Sequence, residues 1–170
     1  EHYVALTKVQ SELGPPGYRV LDSHRAHILA VQAACLAAGQ WEAVRSITQA
    51  TETYLDLHGL WTERVTLLQQ GLAGARGAGN QPDESALLGR LGLVSADLGD
   101  LRQAIRYHEA ALTIHREIRA ASAQGSPDWI AARRGEGNRL GSLGLAYHSV
   151  GDLRQAIPHY EEALAISREI

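Results

Sequence analysis

Apolar residues recur along this chain three and four positions apart with polar residues between them, the period of helices that bury one face. Gly or Pro interrupts the recurrence at about one helix length, so the chain reads as seven or eight helices rather than as strands. The spacing predicts helices over about 3–13, 22–38, 41–57, 61–75, 83–98, 100–123 and 127–150, with a last one opening at Asp152. Gly14-Pro15-Pro16-Gly17 is expected to be a linker and a boundary, after which Asp22 or Ser23 caps the second helix and Gly39 ends it. Trp41 and Trp61 each follow a glycine by two residues, where a bulky ring would pin neighbouring helices together. Asp100 with Gln103, and Asp152 with Gln155, have the spacing of a capping box, in which the acid caps the helix and the amide reaches back.

One stretch occurs twice. Gly99-Asp-Leu-Arg-Gln-Ala-Ile through Arg116-Glu-Ile118 returns 52 residues later as Gly151-Asp-Leu-Arg-Gln-Ala-Ile through Arg168-Glu-Ile170, with 14 of 20 positions identical. Repetition at this scale implies a solenoid, in which each unit buries its apolar face against the next. Ser126-Pro127 supplies an N-cap and a proline at the first helical position, so the helix over 127–150 should run about two turns longer than its counterpart at 83–98. A tall hairpin around Gly125 follows, carrying Trp129 and Ile130 near its tip, and deletion of residues 119–130 should leave folding intact. Pro158, two turns into the last helix, reads as a source of curvature.

Composition narrows the function classes. Net charge is −3 with dispersed basic residues, which removes the electrostatic footprint of a nucleic-acid binder. Cys35 is the single cysteine, so neither a disulfide framework nor a thiolate zinc site can form, and a reducing cytoplasm fits. No apolar run approaches the roughly 20 residues of a membrane helix. The chain has no Met and stops on Ile170 without a closing helix, so it is expected to be a piece of a longer protein. Arg makes up all of its basic residues except Lys8, in keeping with a bacterial coding bias.

Leu140-Gly-Ser-Leu-Gly144-Leu-Ala-Tyr147, then Gly151-Asp, Ala156-Ile, Tyr160, Ala163-Leu and Ile166, closely resembles a tetratricopeptide repeat. The resemblance implies an all-α fold, a right-handed superhelical array of antiparallel hairpins, with Gly144 and Ala156 letting two helices approach and Ala163 admitting the next unit. The preceding unit matches through Leu91-Gly92, Gly99-Asp100, Ala104-Ile105 and Ala111-Leu112, but Ser95 and His108 stand in place of aromatics, so its packing should be looser. A degenerate unit aligns 40 residues earlier, with Arg64 where the motif has Ala104. Three segments are implied: 1–20 as a helix and linker that could end a preceding domain, 21–80 as degenerate hairpins, and 81–170 as two repeats.

Arg133-Arg-Gly-Glu-Gly-Asn138 before the repeat core is similar to repeats of bacterial signalling NTPases of the STAND or NB-ARC type. Leu21-Asp-Ser-His-Arg-Ala-His-Ile-Leu29 and Tyr54-Leu-Asp-Leu-His-Gly-Leu-Trp61 resemble the segment that joins their nucleotide switch to the repeats. The implied role is a regulatory sensor that binds a protein or peptide and holds a switch closed. No Gly-x-x-x-x-Gly-Lys-Ser/Thr loop occurs, and Gly71, Gly74, Gly77 and Gly79 follow a helix, so this segment is expected to bind no nucleotide and no cofactor.

His24 and His27 share a helix face, yet no third ligand accompanies them and no HExxH occurs, so no metal is expected. No nucleophile elbow is present, and no catalytic residue is assigned. The family's groove positions fall on Arg90, Leu93 and Asp97 in one unit, and on Ser142, Leu145 and His148 in the next, with Asn138 above them. Leu93 and Leu145 stand where carboxylate-clamping repeats have Asn, so a chaperone tail is not the expected ligand. The expected function is therefore a protein- or peptide-binding module of a bacterial signalling or transcription-regulating NTPase, cytoplasmic, with no nucleic acid or membrane partner. The alternatives are a standalone adaptor or peptide-pheromone receptor and, more distantly, a hydrolase on a helical scaffold. An uncapped last repeat would expose apolar surface and favour self-association.

Overall fold

A computed structural model describes residues 2–170, and all its regular structure is helical. The helices are α1 (His2–Glu12), α2 (Pro15–Ala37), α3 (Trp41–Leu57), α4 (Trp61–Gly77), α5 (Gln81–Asp97), α6 (Leu101–Ala121), α7 (Pro127–Val150) and α8 (Leu153–Glu169). They form two compact units, the first ending at Asn80 and the second spanning Gln81–Ile170.

One turn is used over and over. Gly39, Gly59, Gly79 and Gly99 all lie at φ between 64° and 83°, a region glycine enters without steric cost. After each, the next residue's N–H donates to the carbonyl five positions back, as Leu60 does to Leu55 and Asp100 to Ser95, both at 2.9 Å. That bond satisfies a carbonyl the ending helix would otherwise leave open. It also corrects the expected capping boxes. The Asp100 N–H is already taken, so only the forward half forms: Asp100 Oδ1 accepts from the Gln103 N–H at 3.0 Å, and the Gln103 amide oxygen accepts from Arg106 instead.

The Gly14–Gly17 segment is not a linker. Pro15 and Pro16 fill the first positions of α2, where a missing N–H costs nothing, and Gly17 lies directly against the Gln10 backbone. Asp22 and Ser23 therefore sit inside α2, with Asp22 accepting from the Tyr54 hydroxyl at 2.9 Å and Ser23 donating to the Val20 carbonyl. The expected division at residue 20 falls within this helix.

In the first unit, Leu21 and Ile28 of α2, Ile47, Tyr54 and Leu55 of α3 and Leu67 of α4 form the core. Gln32 is fully buried among them and donates to Thr48 Oγ1 at 2.7 Å and to the Leu67 carbonyl at 3.2 Å. The glycines that follow α3 in sequence are contact points. A Cβ at Gly74 would meet Val44 at 2.9 Å, and one at Gly77 would meet the Trp41 ring at 2.8 Å. Trp41 thus pins α3 to α4, whereas Trp61 stays partly exposed beneath the Arg64 guanidinium. Arg64, in place of the motif's small residue, is buried because it pairs with Glu52 and Asp56 of α3.

In the second unit, α5 packs on α6, α6 on α7 and α7 on α8. Leu112, Leu140, Leu143 and Ile166 form its core, flanked by Ile105, Tyr147 and Ala163. α7 is 24 residues long against 17 for α5, with Ser126 Oγ accepting from the Trp129 N–H at its start. The hairpin tip is mostly exposed, but its base carries a buried ion pair that the deletion of 119–130 would break. Arg119 pairs with Glu136, whose side chain is 1% exposed and also accepts from Arg133 at 2.9 Å.

Candidate protein-binding face

The seven groove candidates, three on α5 and four on α7, all lie in the second unit. Arg90, Leu93 and Asp97 are spaced so that they share one face of α5; Asn138, Ser142 and Leu145 do the same on α7. The Arg139 guanidinium of α7 lies over Gly89, beside Arg90, which makes α5 and α7 neighbours. Leu93 is 48% exposed and Leu145, its counterpart 52 residues on, 59%. Two large apolar side chains at equivalent places on adjacent first helices, with polar residues around them, make a surface suited to an apolar side chain of a partner. His148 is exposed toward the end of α7. Ser142 does not offer a free hydroxyl, since it donates to the Asn138 carbonyl at 3.0 Å. Asn138 does not simply sit above the others; with Arg134, Gly137, Ala163 and Ile166 it lines a cavity between α7 and α8.

Beneath this face lies a polar cluster in which His108 is buried and His115 and Arg139 are half-buried. His108 of α6 is 2% exposed and packs on Gly92, the place that Tyr160 takes on Gly144 in the next repeat. The smaller ring thus reaches the same kind of glycine contact as the tyrosine, Gly92 here and Gly144 in the next repeat. Burial pushes the His108 imidazole down to about 4, and the Arg139 charge adds to the effect. His115, against Gly135, is lowered for the same two reasons, with Glu136 opposing. Arg139 itself is lowered by burial, and its Nε and Nη1 have no hydrogen-bond partner. On the other flank of α7, burial of Arg133 is outweighed by Glu169 and Glu136, which hold its charge.

His24 and His27 each have a partner within the first unit. His27 stacks on Tyr3 with ring centroids 6.2 Å apart, and His24 bonds the Val20 carbonyl. Among the described residues no three His, Cys, Asp or Glu side chains are grouped to hold a metal ion, and no helix is long and apolar enough to cross a membrane. Pro158 is exposed within an unbroken α8.

Residues 86–119 and 140–169 each match a tetratricopeptide repeat family. No curated protein matches the sequence. The fold is similar to that in the crystal structure of BtubC (BKLC) from P. vanneervenii, with a TM-score of 0.72 and 16% identity, over 98% of this chain and 63% of that one. At that identity the likeness speaks for the fold alone. The chain has an all-helical, tetratricopeptide-like α-solenoid fold whose second unit carries two tetratricopeptide repeats.

Proposed function

We propose that this chain is a protein- or peptide-binding module, and that its ligand lies across α5 and α7 on Arg90, Leu93, Asp97, Asn138, Ser142, Leu145 and His148. The exposed pair Leu93 and Leu145 carries this reading, because solvent-facing leucines in register on adjacent helices cost solubility unless something covers them. Tetratricopeptide repeats generally serve protein or peptide binding.

The wider context is the regulatory end of a bacterial signalling or transcription-regulating NTPase acting in the cytoplasm. Support comes from the Leu21–Leu29 and Tyr54–Trp61 strings, which pack on one another through Leu21, Ile28, Tyr54 and Leu55 and through the bond from Tyr54 to Asp22. The Arg133–Asn138 string supports it less. Each conspicuous residue there has a packing role, Gly135 under His115, Glu136 between two arginines and Gly137 against Ile166.

The groove is tested with Arg90→Glu combined with His148→Glu, using quantitative capture of partners by the variant and the parent chain. Loss of a specific partner, with helicity and Tm unchanged, is the expected result; identical capture profiles would remove the groove assignment. The gene decides the context, since a Walker loop encoded upstream is expected, and a reading frame that opens at Glu1 would favour a standalone adaptor.

A further inference from the structure

Four arginines drawn in from the surface of this chain bring a counter-charge with them. Arg25, Arg64, Arg119 and Arg133 each stand 3.6 Å or less from a carboxylate. Arg139 is half-buried too, yet among the described residues no carboxylate pairs with it, and its Nε and Nη1 have no acceptor. Glu136, one turn earlier on α7, is taken by Arg119 and Arg133. The ionisable groups that feel the Arg139 charge are His108 and His115, which burial and that same charge hold neutral at pH 7. A guanidinium withdrawn from solvent in this way costs free energy, and water can meet its N–H groups without cancelling its charge. Its position shows from where a counter-charge can arrive. The guanidinium lies between α5 and α7 over Gly89, where a Cβ would stand 2.0 Å from Nη1. Gly89 is one turn from Leu93 on α5, and Arg139 is one turn from Ser142 on α7, so the charge lies at the floor of the proposed groove. Asp97, the carboxylate of that groove, stands eight residues beyond Gly89, about 12 Å along α5.

We infer that Arg139 anchors an acidic side chain of the bound peptide: an Asp or Glu of the partner enters between α5 and α7 and pairs with the guanidinium, while an apolar neighbour covers Leu93 and Leu145. The inference rests on the groove proposed above and names the chemical class of its ligand, an acidic residue beside an apolar one. Gly89 has no side chain to grip the guanidinium, which lifts to meet the carboxylate through two parallel N–H···O bonds. Pairing supplies the charge that the free chain lacks at this place, so the acid contributes to affinity as well as to choice of partner. Asp97 repels a second acid at its own end of the groove and so fixes the direction of the peptide.

A synthetic library of 12-residue peptides, acetylated and amidated so that no terminal charge remains, is screened against the 170-residue chain, and the best binders are measured by fluorescence anisotropy. They are expected to share an Asp or Glu next to Leu, Ile or Phe. Replacing that acid by its amide should weaken binding about tenfold or more. Arg139→Met should cost the acidic peptide the same factor and the amide version little, the coupling that a double-mutant cycle reads. Arg139→Lys, which keeps the charge and loses the fork, should recover part of the loss. In the free chain Arg139→Met should leave Tm unchanged or raise it, since no partner is removed; a marked fall would mean that the guanidinium is already satisfied there and would overturn the inference. Binders that are weakened by Leu93→Ser with Leu145→Ser, yet carry no acid or ignore Arg139→Met, would overturn it and leave the groove standing. Binders indifferent to the leucine exchanges, or a library without binders, would remove the groove and this inference with it.

Discussion

At the scale of single residues, glycine separates into two kinds that sequence alone does not distinguish. Gly92 and Gly141 both lie inside helices, but a methyl group at 92 would enter the buried His108 ring, whereas at 141 nothing stands within 4 Å. Gly92→Ala should therefore cost about 2 kcal/mol, and Gly141→Ala should gain about 0.5–1 kcal/mol through helix propensity; urea unfolding of both variants checks the contrast. His108 makes a second residue-scale prediction. Its imidazole ionises near 4 when folded against 6.5 as the reference. Between those values the unfolded chain holds a proton that the folded chain refuses. The stability of the neutral form is thus complete above pH 6.5, falls as pH drops toward 4, and levels off below, by about 3 kcal/mol in all. In His108→Leu that part of the pH dependence should vanish, leaving a slope smaller by about one proton between pH 6 and 4.5. An unchanged slope would show that His108 is solvated when folded.

Elements were largely legible in the sequence because their limits are set by local chemistry. A glycine at positive φ, or Ser126 ahead of Pro127, ends or starts a helix whatever packs nearby. The error at Gly14–Gly17 has the same origin. Two prolines prohibit helix continuation but are equally suited to helix initiation, and the choice was settled by Gly17 coming against Gln10. The long α6/α7 hairpin is legible in Ser126-Pro127, but its energetics are not, because Arg119 and Glu136 are 17 residues apart and meet only when the hairpin closes. Deleting residues 119–130 removes Arg119 with the tip. A Tm loss is now expected, and Arg119→Ala alone should reproduce it, at about 1–3 kcal/mol or roughly 3–10 °C. A deletion that leaves Tm unchanged would mean that Arg133 suffices for Glu136.

At the scale of the whole molecule, the two-fold recurrence of Gly-Asp-Leu-Arg-Gln-Ala-Ile marks scaffold, because its residues cap helices and pack between them. Positions with identical residues, such as Leu112 and Leu164, have unlike surroundings, 6% exposed in one copy and 50% in the other. By itself the sequence determined that the chain is helical, that its second half is two repeats and that one hairpin is long, because period, punctuation and capping act over a few residues. It also located the groove candidates through the repeat register. Only the tertiary structure shows how those residues are engaged: Ser142 donates its hydroxyl to its own helix, and Asn138 lines the α7/α8 cavity. It alone decided that His108 is buried against Gly92, and that Nε and Nη1 of the half-buried Arg139 lie without a hydrogen-bond partner. The physical reason is common to all of these. Burial and pairing depend on what a neighbouring helix brings to the same place, and that neighbour lies tens of residues away in the chain.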